Sequence, residues 1–405
     1  MPARMHRPLA RLAFWAAAAK LAWTQVGYGL FLAALRRARG NPPPAPAGDA
    51  GTPSVALIVA AYAEEAVIAA KVENALALDW PRDRLQIVVA VDGGAEPGAD
   101  ATADRARAAG ADLVLELPRG GKVRAQDAAV AATAGELIAF SDANARWEPG
   151  ALRALLAPFA DPAVGYVCGR VRFVNEAGTN QEGAYWRFEM WQRENESALA
   201  SVTAGNGAIY AVRRSAYLHV DAVMGHDLSF PFNLTKRGWR CVYQPEARAT
   251  EKMVPTNEGE FLRKRRMMSH TWPIVIEGEG ARKRRMMSHA WPIVLRGGLL
   301  DPRGYPPLYA LMILSHRVLR SASPLLHLVV AAATLRLLRA GPVYRAAALA
   351  QAGLLAAAAA GGVVRLRPFL LARYYVATTA SLAGGLADHL RHGTPAGWEA
   401  PEGTR

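Results

Sequence analysis

Three aspartates beside apolar runs are the residues of this chain best suited to chemistry. Asp92 ends the run at 87–91, Asp142 ends the run at 137–141, and Asp227 opens an amphipathic stretch. Carboxylates at the carboxyl ends of buried parallel strands point into the ligand crevice of an open α/β sheet. We therefore expect these side chains to line such a crevice.

Asn144 follows Asp142 by two positions, a spacing that suits a metal site. Residues two apart on an extended segment face the same way, so both side chains can direct oxygens at one divalent cation. A metal there would hold a pyrophosphate, which indicates an enzyme that uses a nucleotide sugar. The structural alternative is an Asx turn before Trp147.

Apolar runs alternate with helical stretches after the proline-rich segment at 41–51. This alternation predicts an α/β fold with a mostly parallel sheet covered on both faces. The predicted strands lie at 55–60, 87–91, 113–117, 137–141, 164–168, 208–212 and 241–243. The predicted helices lie at 64–77, 99–109, 122–133, 149–159 and 183–199.

Sequence motifs in the same region resemble those of the family 2 glycosyltransferases, an inverting class with the GT-A fold. The strand and turn at 55–65 resemble the opening strand and Pro-x-Tyr-Asn-Glu-Glu turn of the family, with Ala in place of the Pro and the Asn. The Gly-Gly-Lys at 120–122 resembles its Gly-Lys-x-x-Ala-x-Asn segment, with Asp127 near the usual Asn. The resemblance covers residues 52 to about 270 and is to the cellulose, hyaluronan and poly-N-acetylglucosamine synthase-like group. It implies a GT-A domain, a Rossmann-like mostly parallel sheet between helices, with transmembrane helices added.

The resemblance implies a site for a nucleotide-sugar donor, most simply a UDP-sugar. Asp92 matches the residue that accepts a hydrogen bond from uracil, and Glu64 lies in the first loop, which also contacts the nucleoside. Lys122 and Asp142 complete the nucleotide-binding set. Asp142 and Asn144 occupy the Asp-x-Asp motif, which implies a divalent cation, Mg²⁺ or Mn²⁺, although an amide brings no charge to it. The alternatives are a turn-forming role for Asp92 and a helix N-terminal role for Glu64.

Asp227 resembles the final Asp of the second acidic motif of the family, its general base. An acceptor hydroxyl must lose a proton as it attacks the anomeric carbon from the face opposite the leaving nucleotide, and a nearby carboxylate can take that proton. His226 departs from the usual acidic residue before the base. A helix N-cap is the structural alternative for Asp227.

Two further groups are implied by position within the family. Arg263 and Arg266 lie where processive members carry Gln-x-x-Arg-Trp, and on one helix face they would hold the diphosphate. A basic cluster is also typical of a nuclear signal or a headgroup-binding surface. Trp186, Trp191 and Asn206 fall in the region that shapes the acceptor site, although the aromatic spacing also fits a plain core helix.

The basic cluster belongs to a 19-residue tandem repeat, 258–276 and 277–295. Two copies do not make a solenoid, so a duplication is the simpler account. We expect the first copy to face the diphosphate and the second, with basic residues 282–285, to lie on the membrane surface.

The chain is basic and rich in apolar residues. It carries 48 Lys and Arg against 34 Asp and Glu, for a net charge of +14, and 52% of its residues are apolar. Such a charge favours nucleotide phosphates, anionic lipid headgroups or nucleic acid as partners. Two cysteines, Cys168 and Cys241, are too few for a disulfide framework and are expected as buried free thiols.

Apolar stretches at both ends predict membrane attachment. Residues 12–35 are long enough to span ~30 Å of hydrocarbon and are interpreted as an uncleaved anchor. Basic residues at 36–39 favour a cytoplasmic catalytic domain, although Arg4, Arg7 and Arg11 oppose that orientation. A soluble helical bundle is the alternative for the end of the chain. After a membrane-surface helix, further membrane candidates lie at 325–338, 346–364 and 370–386.

These inferences predict an integral protein of the bacterial cytoplasmic membrane that transfers a sugar, with inversion, to a lipid-linked or polysaccharide acceptor. The alternatives are a non-catalytic membrane scaffold and, less favoured, a nucleic-acid binder. No nucleic-acid partner is expected because no recognisable nucleic-acid module accompanies the basic clusters. The predicted divisions are an anchor at 1–40, a linker at 41–51, the GT-A domain at 52–257, the duplicated segment at 258–304, membrane helices at 305–390 and a tail at 391–405.

Overall fold

The computed structural model describes residues 2–40, 52–96, 99–174, 183–252, 298–364 and 366–392. In this part of the chain, eight strands form one sheet: β1 Val55–Ala61, β2 Leu85–Asp92, β3 Leu113–Leu117, β4 Leu137–Asp142, β5 Arg146–Trp147, β6 Val164–Val174, β7 Tyr210–Arg213 and β8 Arg240–Lys252. The α-helices are α1 Pro2–Ala22, α2 Tyr28–Arg39, α3 Ile68–Leu76, α4 Thr102–Ala108, α5 Lys122–Ala131, α6 Ala151–Leu156, α7 Gly183–Leu199, α8 His226–Lys236, α9 Pro307–Met312, α10 Leu319–Ser321, α11 Ser323–Leu337, α12 Pro342–Ala360 and α13 Arg367–His392.

The sheet has the strand order β3-β2-β1-β4-β7-β6-β8-β5. Strands β3, β2, β1 and β4 run parallel to one another, β7 is antiparallel to both of its neighbours, and β6 is parallel to β8. The predicted mostly parallel sheet is therefore confirmed. The parallel strands read as nearly continuous apolar runs because both faces of the sheet are covered.

Strand register brings two of the aspartates to the same edge of the sheet. Ala60 of β1 pairs with Asp142 on one side and with Ala90 on the other, two residues before Asp92. Asp92 and Asp142 are the last residues of β2 and β4, which flank β1. They therefore end two parallel strands on either side of β1, at the carboxyl edge where an open α/β sheet binds its ligands.

Apolar side chains pack on both faces of the sheet because successive strand residues point to opposite sides. Leu57 and Ile87 belong to a cluster that includes residues of α6, whereas Ile58 and Val88 belong to a cluster that includes residues of α5 and α8. The cysteines at 168 and 241 are buried free thiols, as predicted.

The first helix of the sheet domain begins later than the sequence predicts. The apolar pattern predicts a helix from residue 64, but α3 starts at Ile68. Val67, the residue before α3, has a φ of −124° and a ψ of −17°, outside the α-helical region, so the regular helix begins only after it. The backbone carbonyl of Glu64 then accepts hydrogen bonds from the amides of Val67 and Ile68. This turn places residues 62–65 above the carboxyl edge of β1.

The two ends of the chain pack together beside the sheet domain. Phe14 and Ala17 of α1 share an apolar cluster with Val330 and Leu337 of α11. A π-helical turn, Trp23–Gly27, joins α1 to α2. Helix α2 packs along α7.

Among the described residues, one helix has the length and apolar composition to cross a membrane, namely α12, Pro342–Ala360. The pair Pro307–Ser321 and Ser323–Leu337 passes the same test together but is bent by 64° at its break. This number is smaller than the predicted one anchor and three later spans. Helix α1 carries Lys20 in its last turn as well as three arginines, and such charges make a helix less suited to hydrocarbon.

Candidate functional site

The centre of the candidate site is an ion pair between Lys122 and Asp142. Lys122 is the first residue of α5, and Asp142 is the last residue of β4. The Lys122 ammonium and Asp142 Oδ1 form a close salt bridge, and both side chains are half-buried. Gly207 lies directly against this pair, since a Cβ there would sit 3.0 Å from Lys122 Nζ and 3.2 Å from Asp142 Oδ2. The sequence predicts both residues as nucleotide ligands but does not predict their pairing.

Lys122 remains a cation in this setting. Burial by itself lowers its pKa, but the negative charges of Asp142 and Asp227 outweigh that effect, and the pKa is raised above its usual value. A permanent cation at the start of α5 suits an anionic ligand, because phosphates bind where a lysine point charge meets free backbone donors.

Asp92 organises the glycine turn that precedes Lys122. Its Oδ1 accepts hydrogen bonds from the backbone amides of Gly120 at 2.6 Å and Gly121 at 3.0 Å. Its Oδ2 accepts one from Arg119 at 2.5 Å, and that guanidinium lies 3.2 Å from the centre of the Tyr62 ring. The carboxylate therefore fixes the turn at 119–121 from within, a different turn from the one after Asp92 that the alternative reading predicts, and its contact with a nucleoside stays a prediction.

Asp227 occupies the first turn of α8 as its second residue. The N-cap is Gly225, so the alternative role of Asp227 as an N-cap is wrong. The backbone amide of Gly205 donates a hydrogen bond to the Asp227 carbonyl at 2.7 Å, which joins α8 to the loop that carries Gly207. Burial raises the pKa of the Asp227 carboxyl, Asp142 raises it further, and Lys122 opposes both. A carboxyl with a raised pKa is a stronger proton acceptor when ionised, as a general base requires.

His226 and Asp127 form a polar cluster that the motif comparison did not predict as a unit. His226 is 2% exposed, and its Nε2 lies 3.6 Å from Asp127 Oδ1. The hydroxyl of Tyr217 also donates to Asp127, and exposed His219 lies 3.3 Å from the other carboxylate oxygen. Burial lowers the pKa of His226, so the ring beside the candidate base is neutral near pH 7. Two departures from the family motifs could have signalled this cluster in the sequence: Asp127 stands where the family has Asn, and His226 stands where it has an acidic residue.

The oxygen donors present fit a divalent cation only with help from a ligand. Asp142 and Asn144 supply a carboxylate and an amide two residues apart after β4, which are hard donors of the kind Mg²⁺ and Mn²⁺ prefer. In the described part of the chain, no group of three His, Cys, Asp or Glu side chains is placed to hold a metal ion. Such a cation would therefore take its remaining ligands from a diphosphate and water.

The residues predicted for the acceptor are used in packing. Trp186 Nε1 donates to the Val171 carbonyl at 2.9 Å, and the Trp186 ring joins the apolar core. Trp191 packs on α2, where a Cβ at Gly29 would lie 2.9 Å from its ring. Asn206 donates to the Gly169 carbonyl at 2.7 Å and accepts from the Ile209 amide at 3.0 Å. These contacts agree with the core-helix alternative for the tryptophans, while Asn206 shapes the loop beside Gly207.

The structure describes the position of Glu64, predicted for the nucleoside, but not those of the arginines predicted for the diphosphate. The backbone amide of Glu64 donates to Thr102 Oγ1 at 2.9 Å, so Glu64 lies in a loop held to the start of α4. Arg263 and Arg266, together with the whole duplicated segment at 258–295, lie outside the described residues.

Sequence comparison identifies the class of protein. The model of the family "Glycosyltransferase like family 2" matches residues 53–269, more than half of the chain, and the chain therefore belongs to this family. The matched region contains the sheet, the Lys122–Asp142 pair and Asp227. The predicted family membership is confirmed.

Particular relatives are more distant. The chain is 30% identical over 249 residues to a beta-monoglucosyldiacylglycerol synthase of Synechocystis sp., covering 56% of this chain and 51% of that protein. It is 27% identical over 241 residues to an N-acetylglucosaminyltransferase of Rhizobium leguminosarum bv. viciae, covering 54% of this chain and 56% of that protein. The chain thus spans about half the length of these curated relatives.

One solved structure matches the chain over nearly its whole length. The mannosyltransferase PcManGT from Pyrobaculum calidifontis, solved in complex with GDP-Man and Mn²⁺, superposes with a TM-score of 0.66 at 22% identity. The match covers 94% of this chain and 99% of that chain. This likeness confirms the GT-A fold.

Proposed function

We propose that this chain transfers a sugar from a nucleotide-sugar donor to a lipid-linked or polysaccharide acceptor at a membrane, with inversion at the anomeric carbon. The observation that carries the proposal is the placement of Lys122, Asp142 and Asp227 around the loop at 205–207. This arrangement sets a diphosphate-binding cation beside a carboxylate that can act as a base. Family membership supports the same class of reaction.

The donor lies at the carboxyl edge of β1, β2 and β4 in this proposal. Glu64 and Asp92 face the nucleoside, and Lys122 and Asp142 face the diphosphate. Asp142 and Asn144 would hold Mg²⁺ or Mn²⁺, which when bound supplies positive charge that stabilises the departing diphosphate. Uridine is the nucleoside that the sequence motifs favour, while the structurally similar mannosyltransferase was solved with GDP-Man. Both nucleotides therefore belong in the first donor screen.

Asp227 acts as the general base on the acceptor hydroxyl. The hydroxyl oxygen forms a bond to the anomeric carbon, and its proton passes to the Asp227 carboxylate. The bond from the anomeric carbon to the diphosphate oxygen breaks on the opposite face, and its electron pair leaves with the nucleoside diphosphate. Attack and departure on opposite faces give inversion. Lys122 binds the donor diphosphate through its positive charge, which keeps the leaving group opposite the attacking hydroxyl.

The remaining parts of the proposal concern attachment and chain divisions. Helix α12 and the bent pair at 307–337 support membrane attachment, with the sheet domain at 52–257 on the cytoplasmic side. Arg263 and Arg266 of the duplicated segment would contact the diphosphate. The names of the relatives include a diacylglycerol glycolipid, which supports a lipid acceptor.

The test uses native membranes that contain the full-length chain. Each of several UDP- and GDP-sugars is supplied with Mn²⁺ or Mg²⁺, and release of nucleoside diphosphate is measured with mass analysis of the lipid and polymer fractions. Metal-dependent release with a glycosylated product supports the proposal. Binding of nucleotide without any product would instead indicate a non-catalytic scaffold that retains the fold.

A further inference from the structure

Two arginines from distant parts of the chain lie beside the loop between α7 and β7, whose Gly205 amide bonds to the Asp227 carbonyl and whose Thr203 hydroxyl lies 3.3 Å from His316 Nδ1, next to the second arginine. Arg193 lies on α7, and its Nη2 donates to the Gly205 carbonyl at 3.2 Å. Arg317 lies in the π-helical turn Ile313–Val318, which joins α9 to α10. Its positive charge is close enough to Asp227 to lower the pKa of that carboxyl. Neither arginine belongs to a motif recognised in the sequence.

Each arginine presents a buried N–H group with no acceptor among the described residues. Arg193 Nη1 and Arg317 Nε are screened from solvent, and neither has a hydrogen-bond partner in the described part of the chain. A buried guanidinium donor without an acceptor is costly, and more so because the group is charged. Two such donors from different elements indicate a place for an anion that binds from outside.

Glu189 and Glu196 are within electrostatic range of Arg317, but neither accepts a hydrogen bond from these two N–H groups. Glu189 forms a salt bridge with Arg320, and its other oxygen lies 3.3 Å from His316 Nε2. Glu196 accepts a hydrogen bond from Tyr28 at 2.5 Å, and His316 Nδ1 lies 2.8 Å from the same oxygen. These contacts tie α2, α7 and the π-helical turn together. They hold the segment that carries the second arginine in a fixed position.

Lys122 and Arg193 contact different glycines of one loop. Gly207 abuts Lys122, whereas the carbonyl of Gly205 accepts from Arg193. Asp227 is within electrostatic range of both Lys122 and Arg317. If the donor diphosphate is bound by Lys122, the two arginines are further cations near Asp227 that the donor does not use.

We propose that Arg193 and Arg317 form a subsite for a phosphate group of the acceptor, so that the acceptor is an anionic, phosphate-bearing lipid. This proposal rests on the proposed glycosyl transfer and adds the chemical class of the acceptor. Guanidinium groups bind phosphate through paired, charge-assisted hydrogen bonds. A lipid is favoured over a soluble phosphate because Arg317 belongs to the bent helix pair at 307–337, which has membrane-like composition.

The first experiment measures binding without catalysis. Full-length protein in detergent micelles, with EDTA present, is titrated with dihexanoyl phosphatidic acid, with dihexanoylglycerol as the matched neutral lipid and with inorganic phosphate. The phosphatidic acid is expected to bind most tightly. Arg193→Gln and Arg317→Gln should each weaken it roughly tenfold or more, since each removes a charge-assisted contact. Arg187→Gln, at an exposed position of the same helix α7, should leave binding unchanged.

Conservative variants and nucleotide binding complete the design. Arg193→Lys and Arg317→Lys keep the charge and should retain part of the affinity, with thermal midpoints close to that of the unaltered chain. Binding of UDP with Mn²⁺ should be the same in the glutamine variants and the unaltered chain. Loss of UDP affinity in place of lipid affinity would assign the arginines to the donor and overturn the proposal.

Other outcomes also overturn it. Equal binding of phosphatidic acid and dihexanoylglycerol, or no change in the glutamine variants, removes the phosphate subsite. Inorganic phosphate that binds as tightly as the lipid removes the lipid assignment. Because these measurements need no sugar donor, absence of glycosyl transfer would refute the proposed function and leave the binding result to be judged by itself.

Discussion

At the scale of single residues, the candidate site depends on two groups: the Asp227 carboxyl, whose pKa is raised, and the nearby Lys122 ammonium, which stays protonated. Burial raises the pKa of Asp227, while Lys122 favours its ionised form. The pair at Lys122 and Asp142 fixes where that cation lies. Both the proton transfer and its pH dependence should therefore respond to changes at these positions.

Asp227→Asn should lower glycosyl transfer by at least roughly 100-fold, because the amide cannot accept the proton. The thermal midpoint near pH 7 should not fall. A carboxyl whose pKa is raised on folding destabilises the folded state above its unfolded pKa, and a neutral amide removes that effect. Activity, UDP binding and thermal melting of the variant are measured together.

Asp104→Asn serves as the control because that side chain is 86% exposed on α4. It should change neither activity nor melting. Turnover of Asp227→Asn at the rate of the unaltered chain would show that another group takes the proton.

Lys122→Gln should move the acid limb of the rate profile to higher pH by about one unit. Loss of the ammonium removes a charge that lowers the pKa of Asp227 and leaves Asp142, which raises it, without its counterion. The base is then protonated at a higher pH. The measurement is kcat against pH at saturating donor.

Arg124→Gln is the matched control, since Arg124 is exposed on the same helix α5. Its profile should follow that of the unaltered chain. An unchanged acid limb in Lys122→Gln would show that the lysine does not influence the pKa of the group that acts as the base.

At the scale of elements, the close packing of the loop between α7 and β7 holds α8 in position at the candidate site. Gly205 lies so near β6 that an added Cβ would overlap the hydroxyl of Tyr166. That hydroxyl is buried and has no hydrogen-bond partner in the described structure. The close approach lets the Gly205 amide reach the Asp227 carbonyl and hold α8 in place.

Gly205→Ala should therefore destabilise the protein by about 1–3 kcal/mol through overpacking. Tyr166→Phe should cost little by itself and should restore part of the stability in the double variant, because it removes the overlapping oxygen. Gly150→Ala is the control, since nothing lies within 4 Å of a Cβ there. Thermal melting of the four variants checks the prediction, and a double variant no more stable than Gly205→Ala would contradict it.

At the scale of the whole molecule, the proposed membrane attachment rests on helices near the end of the chain, which pack beside the sheet domain. Leu349 of α12 is 74% exposed, and several other large apolar side chains of α11 and α12 are exposed as well. Exposed apolar side chains along a span-length helix are expected where lipid is the solvent.

Leu349→Asp should increase the fraction of the chain that alkaline carbonate releases from membranes. A charge near the centre of a spanning helix costs about 3 kcal/mol. Leu366→Asp is the matched control, because Leu366 is 60% exposed but follows α12 in the chain. Equal release of both variants would indicate that α12 does not lie in the membrane.

The sequence determined much of the sheet domain because its signals are local and repeated. Apolar runs of strand length marked β1, β2 and β4, and an aspartate at the end of each of the last two predicted the edge that register then confirmed. The position of Asp227 also followed from its motif. Burial along a strand depends on neighbours in sequence, so a single chain suffices to predict it.

Only the tertiary structure decided which side chains meet. Lys122 and Asp142 are 20 residues apart, and the segments that carry the arginines at 193 and 317 are joined to the loop between α7 and β7 by contacts with Gly205 and Thr203. The tryptophan at 191, predicted for the acceptor, turned to α2 because Gly29 leaves room there for its ring. Contacts between distant segments depend on how the helices pack against the sheet, and the local periodicity of the sequence does not predict that packing.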